Sequence, residues 1–326
     1  MKFCLISLMP LSDADGKILT DEVNRITQWA TIMKGTHYNG YAFDVGLYGL
    51  PYEFFSEFDL VMVAVRQGII EAGIKIKRQS TARVLVFLDG EMEHFTSLPG
   101  DQQVKLIELL NIADAVGVSH EHDIPIIKAL TARPVGMVGV PFPLKRVRQE
   151  LCPPVEKKQV IHVGCGTGKS FNRNGIVNIA ALSEIGLPGV VDVWVREDME
   201  YIHLMKKYMP IPPIHFSHTP RWEDYIAKLN ESFMGLHLDY RQIWGRFALD
   251  CAAVRMPCIA PDNFYTQKTL FPRLCVNSQD IEGAVKLAKE LLKNNSFYKE
   301  VTAYAESRMA FFDNEAAKKR LLDLLA

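Results

Sequence analysis

The sequence predicts an α/β protein made of two Rossmann-like halves, each a parallel sheet covered by helices on both faces. Three observations predict it. Continuous Val- and Ile-rich runs such as Leu60–Val65 and Val84–Leu88 alternate with helical patterns, which is how strands buried on both faces read. The alternation breaks near the middle, where Pro141, Pro143, Pro153 and Pro154 bracket the basic stretch Lys145-Arg146-Val147-Arg148. It then restarts at Gln159-Val160-Ile161-His162-Val163-Gly164. A chain of 326 residues is long for one core.

In the first half, residues 2–9 form an apolar run that reads as a buried strand, because Pro10 and Asp13 cut it too short for a signal peptide. Thr20 is the expected N-cap of a helix whose buried face is Val23, Ile26, Ala30 and Met33, with Gly35 ending it. Residues 41–47, 58–65 and 83–88 read as strands. A helix over 101–112, a strand over 115–119, a helix over 124–130 and a strand over 135–140 follow. Residues 142–157 read as the linker, with the domain boundary placed at 145/146. In the second half, strands are expected at 190–195, 214–216, 234–238 and 258–260, and helices at 281–293 and 297–325. The expected layout is thus a domain over 1–145, a domain over 146–300, and a segment over 301–326. Two such domains imply a cleft, and in open α/β sheets ligands lie beyond the carboxyl ends of the strands.

Composition narrows the classes. Hydrophobic content of 48% and charged content of 23% are globular, and a net charge of -1 argues against a large nucleic-acid footprint. No apolar run reaches the length of a membrane span, which leaves at most peripheral membrane contact. The six cysteines form no Cys-x-x-Cys pair and read as reduced core residues of a cytoplasmic protein, with no zinc site.

The most informative segment runs from Trp244 to Ala260. It reads as a turn at Gly245, a short helix, and an exit through Pro257 into a buried strand. A helix that starts on a glycine turn presents unpaired N–H groups and a positive dipole end, which suits a phosphate. Asp250, one turn in, is placed to reach a ribose. The alternative reading is an ordinary amphipathic helix before a core strand.

Other motifs carry two readings each. Gly164-Cys165-Gly166-Thr167-Gly168-Lys169-Ser170 resembles a P-loop, but Val163 stands where the first glycine belongs. An anion-facing loop, with Lys169 or Arg173 neutralising a diphosphate, fits better. Asp13-Ala14-Asp15 reads as a solvated turn and not as a metal-binding Asp-x-Asp. Ser119-His120-Glu121-His122-Asp123 reads as a helix-capping loop or a cleft-facing His120. Asp89-Gly90-Glu91 ends a strand, either as a capped loop or with Asp89 or Glu91 positioning an acceptor hydroxyl. The aromatic stripe over 298–325 reads as core, and Lys318, Lys319 and Arg320 as a solvated face.

On these residues the chain resembles a family-4-type retaining glycosyltransferase of the GT-B fold. That family's motif runs Glu-Gly-Phe-Gly-Leu, three residues, a second Glu, then Ala-Met-Ala-x-Gly-x-Pro-Val-Ile-Ala. Gly245, Leu249, Ala253, Pro257, Ile259 and Ala260 keep the pattern, while Gln242 and Asp250 replace the paired glutamates. Softer matches are Val163-Gly164 with Asn174-Gly175, Ile214-His215-Phe216 with Trp222-Glu223-Asp224-Tyr225, and Ala113 through Ser119.

The resemblance implies two domains facing each other across a cleft and a C-terminal helix crossing back to the first domain. It implies sugar transfer from a nucleotide-sugar donor to an unspecified acceptor, with no metal or cofactor. Gly245, Arg246 and Phe247 would offer backbone N–H groups to the diphosphate, Asp250 would accept from the ribose, and Gln242 would contact the sugar or phosphate. Gly166, Thr167, Lys169 and Arg173 would line the phosphate side, and Arg196 and His218 the nucleoside. Asp89 would serve the acceptor. Gln242 cannot carry a carboxylate's charge. A non-catalytic nucleotide-sugar or glycan-binding relative is therefore the alternative.

Overall fold

A computed structural model describes residues 1–7, 25–39, 51–65, 69–90, 92–164, 174–192, 200, 203–217 and 221–326. The chain divides into two compact units. Unit 1 is Met1–Pro143 with Phe311–Ala326, and unit 2 is Leu144–Ala310.

Unit 1 is a six-stranded parallel sheet in the order β2-β1-β3-β4-β5-β6, with β1 at Phe3–Ser7, β2 at Thr36–Asn39, β3 at Leu60–Val65, β4 at Arg83–Leu88, β5 at Ala115–Val118 and β6 at Val135–Met137. β1 and β3 are buried at every position, as strands covered on both faces must be. Its helices are α1 (Gln28–Ile32), α2 (Ile70–Gln79), α3 (Met92–Thr96), α4 (Gly100–Ile112) and α5 (Ile124–Leu130). Ile26, Ala30 and Met33 do face the core. The turn that follows departs from expectation, because the left-handed residue is Lys34 (φ 51) and not Gly35. Gly35 is needed for space, since a Cβ there would collide with the Phe3 carbonyl oxygen. The strand expected over 41–47 and the N-cap Thr20 lie outside the described residues. β2 is a short edge strand with polar residues, which hides it from a search for apolar runs.

Unit 2 repeats the architecture. Its parallel sheet has the order β12-β11-β10-β7-β8-β9, with β7 at Lys158–Val163, β8 at Gly189–Asp192, β9 at Ile214–Ser217, β10 at Ser232–Leu236, β11 at Cys258–Pro261 and β12 at Cys275–Val276. After a single turn, α6 (Leu144–Arg146), its helices are α7 (Gly175–Ile185), α8 (Trp222–Glu231), α9 (Arg246–Ala253), α10 (Tyr265–Leu270), α11 (Ile281–Lys293) and α12 (Asn295–Arg308). α13 (Asn314–Leu325) belongs to unit 1.

Two expectations need correction. Residues 142–157 are not an open linker: Leu144–Leu151 is helical and Val147 and Cys152 are buried. Arg146 pairs with Glu223 at 3.1 Å, which ties this stretch to α8. The helix expected over 297–325 is broken at Met309–Asp313. There the Phe142 N–H donates to the Phe312 carbonyl (3.0 Å) and the Asn314 N–H donates to the Phe142 carbonyl (3.1 Å). This strand-like bridge takes backbone groups that a continuous helix would use. The segment returning to unit 1 therefore begins at Phe311, not at 301.

Cys4, Cys152, Cys251 and Cys258 are buried, Cys275 is half-buried, and none of these five forms a disulfide. Among the described residues no helix is long and apolar enough to cross a membrane.

Candidate functional site

In each sheet the chain leaves its first strand in opposite directions, toward β2 and β3 in unit 1 and toward β8 and β10 in unit 2. Such a switch point opens a crevice at the carboxyl ends of the two central strands. In unit 2 these ends are Val163-Gly164 and Leu236-His237. Two glycines make room there. A Cβ on Gly164 would lie 2.9 Å from both His237 and Phe247, and one on Gly235 would lie 2.7 Å from the Cys251 sulfur and 2.9 Å from Phe247. The Phe247 ring is thereby seated over the strand ends, edge-to-face with His237 at 5.4 Å and tilted against His162 at 6.0 Å. Its side chain is packing, so only its N–H is available to a ligand.

The loop after β10 is held from both sides. Asn178, fully buried on α7, accepts from the Leu238 N–H (2.7 Å) and donates to the Leu238 carbonyl (3.0 Å). Asn263 donates to the Tyr240 and Arg241 carbonyls, and Asp239 Oδ1 accepts from the Arg241 N–H. Gln242 follows, exposed to solvent.

Gly245 takes φ 85, ψ 49, a left-handed conformation that starts α9. Gly245 is buried. The first turn of α10 covers it. Thr266 Oγ1 donates to the Gly245 carbonyl (2.5 Å), and the Tyr265 and Thr266 N–H groups donate to the Ile243 and Trp244 carbonyls. Trp244 stacks on Tyr265 at 5.4 Å. Among the described residues, no protein acceptor takes the N–H of Gly245 or of Phe247. These two backbone donors lie at the positive end of the helix dipole.

Asp250 is paired within its own helix. Its Oδ1 accepts from Arg246 Nε at 2.9 Å, one turn back on the same helix, with the two side chains 4% and 18% exposed. The Arg246 guanidinium lies over the Trp222 ring, 5.1 Å from its centre. The carboxylate fixes the guanidinium beside the helix start.

The structure thus gathers Gln242, Gly245, Arg246, Phe247 and Asp250 at one edge of unit 2. Gly166, Thr167, Lys169, Arg173, Arg196 and His218 lie outside the described residues, as do Glu91, Asp13 and Asp15. Asp89 is half-buried in unit 1 at the end of β4, where Ser119 Oγ donates to the Leu88 carbonyl (3.0 Å). Next to it in the chain, His120 Nδ1 lies 3.3 Å from Asp123 Oδ2, both groups buried. At the end of β1, Ser7 Oγ is 2.6 Å from His37 Nε2, and burial pushes the His37 imidazole down to about 4. Among the described residues, no group of three His, Cys, Asp or Glu side chains is placed to hold a metal. Sequence reasoning missed Trp222, Thr266, His162, His237 and Asn178. Only Asn178 carried a signal, as a lone amide inside the apolar helix Gly175–Ile185.

No protein-family model and no curated protein matches the sequence. Solved structures do match the fold. A sucrose-phosphate synthase from Thermosynechococcus elongatus superposes with a TM-score of 0.73 at 16% identity, covering 99% of this chain and 98% of that one. The trehalose-6-phosphate structure from E. coli bound with UDP-2-fluoro glucose gives 0.69 at 12%, covering 100% and 99%. A trehalose-6-phosphate synthase solved to study enzymatic glycosyltransfer with retention gives 0.68 at 12%, covering 99% of each chain. At these identities the likeness is one of fold, and the fold is GT-B.

Proposed function

We propose that the chain is a glycosyltransferase that moves a sugar from a nucleotide-sugar donor to an acceptor, with retention and without a bound metal. The observation that carries this reading is the left-handed Gly245 turn, which starts α9 beside the switch point of unit 2 with two unclaimed N–H groups and Arg246 fixed next to them. Read from β9, the sheet order is the 3-2-1-4-5-6 arrangement that binds nucleotides at this place. The ligand in the E. coli structure, UDP-2-fluoro glucose, is a nucleotide sugar, and a second fold neighbour concerns transfer with retention, both of which support the reading.

In this reading the reacting step places charge on a departing diphosphate. Donors already aimed at that charge stabilise the transition state more than the ground state. The helix start and Arg246 supply them, and to the same diphosphate we assign the charges of Lys169 and Arg173 and the backbone of Gly166 and Thr167. Arg196 and His218 are assigned to the nucleoside, Gln242 to the sugar, and Asp89 to the acceptor hydroxyl. Asp250 acts through Arg246 as a positioning residue.

Gln242 favours one second reading, a relative that binds the donor without turning it over. The separating experiment measures nucleoside diphosphate released from a panel of nucleotide sugars, with and without EDTA. Release by the wild type that EDTA leaves unchanged supports the metal-free transferase. Binding without release, with release gained only in Gln242→Glu, supports the second reading.

A further inference from the structure

Away from the strand ends, α4 and α5 of unit 1 turn aliphatic side chains outward. Val104 is 67% exposed, Ile107 42%, Ile126 47% and Leu130 37%. Single exposed aliphatics are ordinary, but these four lie on adjoining helices. Asn111 Nδ2 donates to the Leu130 carbonyl (3.0 Å), Thr131 Oγ1 donates to the Leu110 carbonyl (3.0 Å), and Arg133 Nε donates to the Asn111 carbonyl (2.8 Å). These bonds join the C-terminal ends of the two helices, and Asn111 Nδ2 also donates to the Ile107 carbonyl (2.8 Å), so the outward aliphatics of α4 and α5 meet at Ile107 and Leu130.

We propose that this face is a two-fold interface between copies of this chain. The argument is charge complementarity about the stripe. Asp101 stands exposed at the start of α4, and Arg133 is held at its far end through Asn111. Neither is in an ion pair among the described residues. Ten residues of helix separate Asp101 from Asn111, about 15 Å at 1.5 Å per residue. Their midpoint falls between Val104 and Ile107. A two-fold axis there sets two α4 helices antiparallel, packs aliphatics on aliphatics, and brings Asp101 of each copy to Arg133 of the other. It also opposes the two helix dipoles favourably. The surrounding charge is mixed, with exposed Glu121 and Lys128 beside Asp101 and Arg133, which suits self-pairing better than an anionic bilayer.

The area sets the strength. At 13 residues α4 is about 20 Å long and at 7 residues α5 is about 10 Å, each covering a strip about 10 Å wide, so roughly 300 Å² per copy is covered. That is below the size of stable specific pairs and in the range of weak, transient ones, so the dimer is weak and concentration-dependent.

The test is sedimentation velocity of the full chain at concentrations up to about 500 µM, the range where weak association shows. The expected result is a monomer–dimer equilibrium that Val104→Glu with Ile107→Glu abolishes. Asp101→Arg and Arg133→Glu each weaken it several-fold, and the two together restore it. A wild type monomeric at every concentration overturns the proposal. So does a dimer indifferent to Val104→Glu with Ile107→Glu, or single charge reversals that the double variant does not rescue. A monomer that binds anionic vesicles through Val104 and Ile107 assigns the face to lipid, and that also overturns it.

Discussion

Polar side chains in unit 2 tie its helix ends together, and the half-buried Lys157 is the most consequential. Its Nζ donates to the Asn230 carbonyl (2.5 Å), to Asn230 Oδ1 (3.1 Å) and to the Val254 carbonyl (3.0 Å), serving the C-terminal ends of α8 and α9 together. Cations suit helix C-termini, yet burial dominates and pushes the Lys157 ammonium down to about 8 from the ordinary 10.5. Between those values the unfolded chain holds a proton that the folded chain has released, so stability rises with pH across that window. We expect the unfolding free energy of the wild type, relative to Lys157→Met, to increase from pH 8 to 10.5 in urea titrations. A flat difference would contradict the burial argument. At the residue scale the sequence was legible where chemistry is local. Gly245 before a helix, and Asp250 one turn in, could be read directly. That Asp250 binds Arg246, that Trp222 lies beneath that arginine, and that Thr266 covers the glycine depend on neighbours brought from other elements.

Among the elements, the loop between β10 and α9 decides whether the site is preformed. It has no secondary structure of its own and is held by Asn178, Asn263 and the start of α10. Asn178 contributes most, because it satisfies both the N–H and the carbonyl of Leu238 in a dry setting. Asn178→Ala leaves both groups unpaired, and we expect a loss of roughly 2–4 kcal/mol in urea unfolding. Nucleotide affinity should fall as the loop loosens, which calorimetry on the folded variant checks. Strands over apolar runs, such as Arg83–Leu88, were plain from the sequence. The break at Met309–Asp313 was not, because the pattern of 297–325 is helical throughout and the interruption comes from pairing with Phe142, far away in sequence. The helix at Leu144–Leu151 was hidden by flanking prolines, which bound it without entering it.

For the whole molecule, the two sheets share one plan but not one strand order. Unit 1 is 2-1-3-4-5-6 and unit 2, read from β9, is 3-2-1-4-5-6. Each places its switch point beside its first strand, and those points lie at Ser7 in unit 1 and Gly164 in unit 2. The division into two α/β units was legible because buried parallel strands leave an unmistakable rhythm of aliphatic runs. Strand order was not, since it is set by which faces the connecting helices cover.

The central claim is that the start of α9 binds the diphosphate of a nucleotide. Isothermal titration calorimetry with a panel of nucleoside diphosphates, UDP included, tests it most directly when wild type and Arg246→Gln are compared. The account predicts saturable binding of at least one of them by the wild type, weakened about tenfold in the variant, equivalent to about 1.4 kcal/mol. No binding at millimolar concentration, or binding that Arg246→Gln leaves intact, would contradict it.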